Sequence, residues 1–170
     1  MSVVSEGRAK LGYGLGKDEG EAIWVLGMLE TIKISGADTN GEYGLVEVVA
    51  RKGDGPPWHV HHEEDEWFYV LEGEWTVYVA DARLSLTPGS FAFGPKKVPH
   101  TFVAETEGAK LLIGLKPVQF EGFMREAGRP ATERVLPPPL DAPPDMAVFG
   151  PMAARHGFDI LGPPGPPPGH

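Results

Sequence analysis

Cysteine is absent from all 170 residues. Disulfides, thiolate ligands and iron–sulfur clusters go with it, so any metal must be bound through nitrogen and oxygen. Long apolar runs are missing too, and no stretch approaches the ~18 residues of a membrane-spanning helix. The opening Met1–Arg8 lacks the apolar segment of a secretory signal, which makes a cytoplasmic location the expectation. Positive charge is scarce: 15 Lys and Arg stand against 24 Asp and Glu, for a net charge of −9. Nucleic-acid binders carry a cationic footprint, and basic pairs such as Lys96-Lys97 fall in turns here. Neither nucleic acid nor a membrane is expected as a partner.

Glycine (23) and proline (18) are abundant instead, a composition that favours short strands joined by tight turns. A chain of this length folds as one domain and buries roughly 70% of its unfolded surface without cross-links. Strands are predicted within 21–35 (two short or one bent) and over 43–51, 58–61, 66–71, 75–80, 83–86, 90–93, 100–104 and 110–115, with a turn at 36–41. Turn signals every 8–12 residues mark a sandwich or barrel. Phe120, Phe123, Met124 and Ala127 recur at helical spacing, predicting a helix within 118–127. Leu136–Pro144 is too rich in proline for anything but an extended crossing. A second short helix is predicted from Asp145 to His156, bent at Gly150-Pro151. The expected organisation is an N-terminal arm (1–20), an all-β barrel (21–117), a helical and Pro-rich C-terminal extension (118–161) and a loose tail (162–170).

The most informative stretch is Gly53–Gly73. In a strand, residues i and i+2 face the same way about 6.7 Å apart, so His59 and His61 can converge on one ion at roughly 2.0–2.1 Å each. Glu66 opens the next strand close enough to add a carboxylate oxygen. Downstream, His100 begins a strand after a Pro-rich turn and can reach inward beside them. The candidate set is His59, His61, Glu66 and His100. His62, Glu63, Glu64 and Asp65 read as a solvated turn. If Glu66 points inward, so do Phe68 and Val70, while Trp67, Tyr69 and Leu71 form an apolar outer face. A C-terminal helix, N-terminal strands or the second subunit of a homodimer would cover that face. Inward-facing candidates for a substrate pocket are Trp58, Phe68, Phe91, Phe93 and Phe102, with Val70, Trp75 and Tyr78 nearby; such walls suit a flat or apolar organic molecule.

Gly53-x5-His59-x-His61-x4-Glu66-x6-Gly73 resembles the first motif of the cupin superfamily at every fixed position. Gly89-x5-Pro95-x-Lys97-x2-His100 resembles the second, with Lys97 in place of a glycine and Ala104 in place of an asparagine. The resemblance implies a double-stranded β-helix, or jelly-roll, barrel. Arg155-His156-Gly157 through Gly162-Pro163-Pro164 is similar, more loosely, to the tail of monocupins related to quercetin 2,3-dioxygenase.

The resemblance implies a metal-dependent dioxygenase acting on an aromatic or enolisable, flavonol-like hydroxylated molecule, with O2 as second substrate. The three histidines would hold one divalent transition ion, Fe, Ni or Mn ahead of Co, Cu or Zn. Glu66 would be either a fourth ligand or a base swung off the ion, and as a base it needs a pKa nearer neutrality than a free glutamate. The same site would also serve a non-oxidative isomerase, cyclase, dehydratase or decarboxylase, or a binding module without catalysis.

Overall fold

The computed structural model describes residues 12–166. Residues 1–11 of the expected arm and 167–170 of the expected tail lie outside the described residues. In chain order the elements are β1 (Glu21–Val25), β2 (Met28–Ile34), α1 (Gly36–Thr39), β3 (Gly44–Ala50), β4 (Trp58–His61), β5 (Asp65–Glu72), β6 (Trp75–Val79), β7 (Ala82–Leu86), β8 (Phe91–Gly94), β9 (His100–Ala104), β10 (Ala109–Lys116), α2 (Phe120–Ala127), β11 (Arg129–Pro130), α3 (Met146–Arg155) and β12 (Phe158–Gly162). The strands form two antiparallel sheets. One runs β11-β1-β2-β3-β10-β5-β8 and the other β12-β4-β9-β6-β7. The all-β class expected from the turn spacing is the class observed.

The core lies between the sheets. Alternation supplies it: Met28 and Ile32, Val46 and Val48, Phe68 and Val70, Trp75 and Val77, Leu111 and Ile113 all bury inward. On β5 the predicted parity holds, with Glu66, Phe68 and Val70 buried and Tyr69 and Leu71 exposed. Neither the C-terminal helices nor the N-terminal strands cover that outer face among the described residues.

Local chemistry sets the connections. The expected turn at 36–41 contains α1, a single helical turn, with Ser35 and Asp38 forming a reciprocal cap. Asp145 caps α3, accepting from the Ala147 amide. The Pro-rich crossing is tied down by its carbonyls, Val135 taking the Trp24 indole at 2.8 Å and Pro137 the Arg51 guanidinium. The sequence did not predict β11 or β12: β11 is only two residues, and β12 is a short run just after the second helix and just before a Gly- and Pro-rich ending. Lys97 takes the left-handed conformation (φ 64°) that a glycine would fill, at a cost of about 1–2 kcal/mol, and its amide donates to the His61 carbonyl at 2.7 Å.

The segment entering β4 is laced to β9. Gly53 N–H donates to Ala104, Ala104 N–H to Asp54, and the Thr101 hydroxyl to Pro56. Gly55 passes so close that an added Cβ would lie 1.9 Å from the Phe102 carbonyl oxygen, a backbone atom. Gly55→Ala is therefore expected to push β4 off β9 and to lower stability by about 1–3 kcal/mol, measured as a fall in the urea midpoint with unchanged slope.

Candidate metal centre

Three strands from both sheets deliver the site. On β4, residues 59 and 61 share the inner face. His59 is paired in register with His100 on β9, which brings their rings to 4.5 Å between centroids. Glu66 arrives from β5 in the opposite sheet. Its Oε1 lies 3.3 Å from His61 Nε2 and its Oε2 3.0 Å from His100 Nε2. His59 Nδ1 donates to the Pro57 carbonyl at 2.8 Å and His100 Nδ1 to the Val98 carbonyl at 3.0 Å. Both rings are thereby oriented with Nε2 toward the centre.

One ligand atom from each of the four side chains lies within 4.8 Å of the others, and all four residues are buried. An ion with bonds near 2.0–2.2 Å keeps its ligand atoms about 3–4 Å apart, so the set fits a three-nitrogen, one-oxygen cation site. No other group of three or more histidines and carboxylates among the described residues is arranged to hold an ion.

Burial, aided by His100 and His61, pushes the His59 pKa down to about 3. That keeps the imidazole neutral, the form that coordinates. Burial acts the other way on Glu66, but His61 and His100 outweigh it and hold this carboxyl well below the usual carboxylate range. The expectation of a Glu66 pKa nearer neutrality is not met while those imidazoles face it. For His61, burial lowers the pKa, and the Glu66 and Glu64 carboxylates override it to give a net rise.

Glu64 corrects the solvated-turn expectation. It is 0% exposed, with Oε1 3.2 Å from His61 Nδ1. Its Oε2 accepts from the Phe120 amide at 3.1 Å and from the Gln119 amide. One carboxylate thus stands at ion-pair distance from an imidazole of the cluster and caps the N-terminus of α2. Burial pushes its pKa up to about 7, opposed by His61 and the two amides and assisted by Glu66. No periodicity singles Glu64 out within an acidic run. Its exposed neighbours behave as predicted: Glu63 pairs with Lys96 and Lys97, and His62 with Asp159.

The site opens onto a cavity of about 30 Å³ lined by His59, Glu66, Glu30, Phe102, Phe158 and Ile160, among others. That volume holds about two waters. Of the five expected pocket residues, Phe102 lines it. Phe68 is buried, 6.0 Å from the His100 ring and 5.6 Å from Phe102, in the core behind the cavity wall. Phe91 and Phe93 point outward, 60% and 49% exposed. Their partners explain it: Phe68 pairs with Ala92 and Glu66 with Gly94, so the small residues of β8 face in. Trp58 is buried on the face of β4 opposite His59, against Tyr78, its indole donating to the Gly165 carbonyl at 2.7 Å. Among the wall residues that sequence reasoning missed are Phe120, Phe123, Phe158 and Ile160 of the C-terminal extension, and Glu30 on β2.

Residues 46–113 match the family described as Cupin domain. Over 125 residues the chain is 30% identical to quercetin 2,3-dioxygenase of Bacillus subtilis, a stretch that is 74% of this chain and 37% of that protein. The chain therefore spans well under half of that relative's length. A solved RmlC-like cupin from Shewanella frigidimarina superimposes with a TM-score of 0.53 at 24% identity, covering 64% of this chain and 93% of that one. A structure described as a predicted oxalate decarboxylase from Thermotoga maritima gives 0.51 at 15% identity, over 54% and 81% of the two chains. At such identities the likeness is one of fold. Residues 46–113 therefore form a cupin domain, with which the fold and the site agree. Within that class it resembles the quercetinase-like proteins.

No helix among the described residues is long and apolar enough to cross a membrane.

Carboxylates behind metal-bound imidazoles typically contribute 10–100-fold in affinity. Glu64→Gln keeps a carbonyl oxygen for the amides of Gln119 and Phe120 but loses the charge beside His61. Its expected effect is about a 10–100-fold loss of metal affinity in a chelator competition, with the circular dichroism of the folded protein unchanged.

Proposed function

We propose that this cupin is a metal-dependent dioxygenase acting on a hydroxylated aromatic or enolisable molecule of the flavonol type, with O2 as second substrate and Fe, Ni or Mn as the ion. The observation that carries this reading is the buried three-histidine, one-glutamate cluster opening onto an apolar cavity. The 30% identity with quercetin 2,3-dioxygenase supports it. A bound dication would supply Lewis acidity toward a substrate hydroxyl.

The chain's own residues do the rest. His59, His61 and His100 hold the ion, and Glu66 accepts the hydroxyl proton on a carboxylate oxygen. That role requires His61 and His100 to release Glu66, as ion binding already demands, because a nitrogen cannot carry a proton and coordinate at once. Phe102, Phe123 and Phe158 provide aromatic surface against a flat ring. Dioxygen adds to the electron-rich carbon of the deprotonated substrate, the O–O bond and a carbon–carbon bond of that ring then break, and both oxygen atoms stay in the products.

Even benzene occupies a cavity on the order of 150 Å³, so the pocket as it stands is closed to such a substrate. Admission requires the walls contributed by the C-terminal extension to move outward. Ile160 and Phe158 are the natural moving parts, on a strand that among the described residues pairs only with β4 and carries a register shift between Ile160 and Gly162.

Oxygen uptake by protein loaded separately with Fe, Ni or Mn and given quercetin tests the reading. Uptake with ring cleavage supports it. Consumption of substrate without uptake would move the site to non-oxidative chemistry, and binding without consumption would make it a binding module. His59→Ala and His100→Ala are expected to empty the site by elemental analysis. Glu66→Gln should keep most of the metal and lose about 10²-fold or more in kcat; full activity in that variant would remove Glu66 from the proton transfer.

A further inference from the structure

Glu30 lies on β2 between Met28 and Ile32, the neighbours that share its inward face, and both are core residues. It pairs in register with Ile23 on β1 and Val48 on β3, again core residues. An apolar side chain would suit this position. Glu30 is 3% exposed, and its Oε2 has no hydrogen-bond partner among the described residues. A buried polar group left unpaired is destabilising, and such groups in native proteins call for a specific explanation. Glu30 also forms part of the wall of the same cavity as His59 and Glu66. It stands three strands from β5 in the shared sheet, so a ligand touching both carboxyls must bridge the cavity.

We propose that Glu30 is a substrate-binding residue, the second polar anchor of the cavity, whose carboxyl donates a hydrogen bond to an oxygen of the substrate remote from the metal-bound hydroxyl. Burial, with the Glu66 charge adding to it, raises the Glu30 pKa to about 8. Burial is the larger cause and does not depend on the ion, so this unpaired carboxyl in the cavity wall is placed to act as a neutral donor, as buried carboxyls in apolar sites can be. The ligand class follows: a flat molecule with an acidic hydroxyl at one end, an apolar body against Phe102 and Phe158, and an acceptor oxygen at the other end. Such a site separates ligands that carry the distal oxygen from those that lack it, because a buried polar group discriminates more sharply than an apolar wall. The inference rests on the proposed function for the metal-side contact, but its own evidence is the unpaired oxygen in the wall.

The test compares quercetin, which carries hydroxyls remote from its 3-hydroxyl, with 3-hydroxyflavone, which does not. Equilibrium binding is measured to metal-loaded wild type, Glu30→Gln and Glu30→Leu. Glu30→Leu is expected to weaken quercetin by about tenfold, the worth of one hydrogen bond, and to change 3-hydroxyflavone less than about twofold. Glu30→Gln, which keeps an N–H donor, should stay near wild type for both. Glu30→Leu should also raise the unfolding midpoint of the ligand-free protein, since it removes an unpaired buried group. Difference infrared spectroscopy should show a protonated-carboxyl band, absent from Glu30→Gln, that shifts with quercetin and not with 3-hydroxyflavone. Equal weakening of both ligands, no weakening of either, or a band that is missing or unmoved overturns the proposal. Absence of oxygen uptake with this binding pattern intact would sink the dioxygenase reading and leave Glu30 standing. Uptake intact with equal weakening would do the reverse.

Discussion

Four ionisable side chains are forced to one point in an apolar interior, and most of the site's architecture follows from managing that crowding. A buried charge without a partner costs several kcal/mol even after the protein relaxes. The sheet gives these residues no freedom to turn away. His59 and His61 are fixed inward by alternation, His100 by its register with His59, and Glu66 by its pairing with Leu115 and Gly94. The chain copes by making the groups one another's partners: Glu66 bridges His61 and His100, and two backbone carbonyls hold the far nitrogens of His59 and His100. The same constraint makes a cation acceptable here, since it takes over the lone pairs and the negative charge together.

Gly94 shows how tightly the arrangement limits its surroundings. A Cβ at that position would already be in van der Waals contact, 3.4 Å from both His100 Nδ1 and Phe68 Cε2, so a larger inward side chain on β8 would run into them. That settles the parity of the strand and sends Phe91 and Phe93 outward, where the Phe91 ring stacks near Trp67. Hydrophobicity alone points to the opposite parity, because two phenylalanines flanking an alanine look like the buried set. The spacing of His59, His61 and Glu66, by contrast, was legible at once. Strand geometry turns those offsets directly into convergence, and little else in the fold can alter it.

Less legible was everything contributed by distant pairing. Glu64 sits in the most polar run of the chain, and its burial depends on α2, more than fifty residues away, bringing two free amides to it. β12 lies at the end of the expected C-terminal extension, where no strand was predicted, yet its register with β4 sets Ile160 opposite His59 and Phe158 opposite His61. Glu30 was hidden for a related reason. In the strand Met28–Ile34 both faces are largely buried, so alternation alone does not mark a charged residue there as facing a cavity. Sequence pattern recovered the strands and the candidate set His59, His61, Glu66 and His100 because strand alternation and the turns that flank it are local signals. The cavity wall is a product of tertiary contacts.

The C-terminal extension consequently does more than cover apolar surface. Its helix α2 is capped by Glu64, the carboxylate that also faces His61 at 3.2 Å. Its strand β12 is hydrogen-bonded to the strand that carries two of the histidines. Phe120 and Phe158 stand near the His61 ring, at 6.0 and 5.1 Å between centroids, and Phe123 packs against Phe158 at 4.9 Å. A ligand that pushes these rings aside therefore acts on the segments that hold His61 in place. Glu64, which faces His61 and accepts from two amides at the start of α2, is the contact through which the proposed opening would reach the candidate metal site.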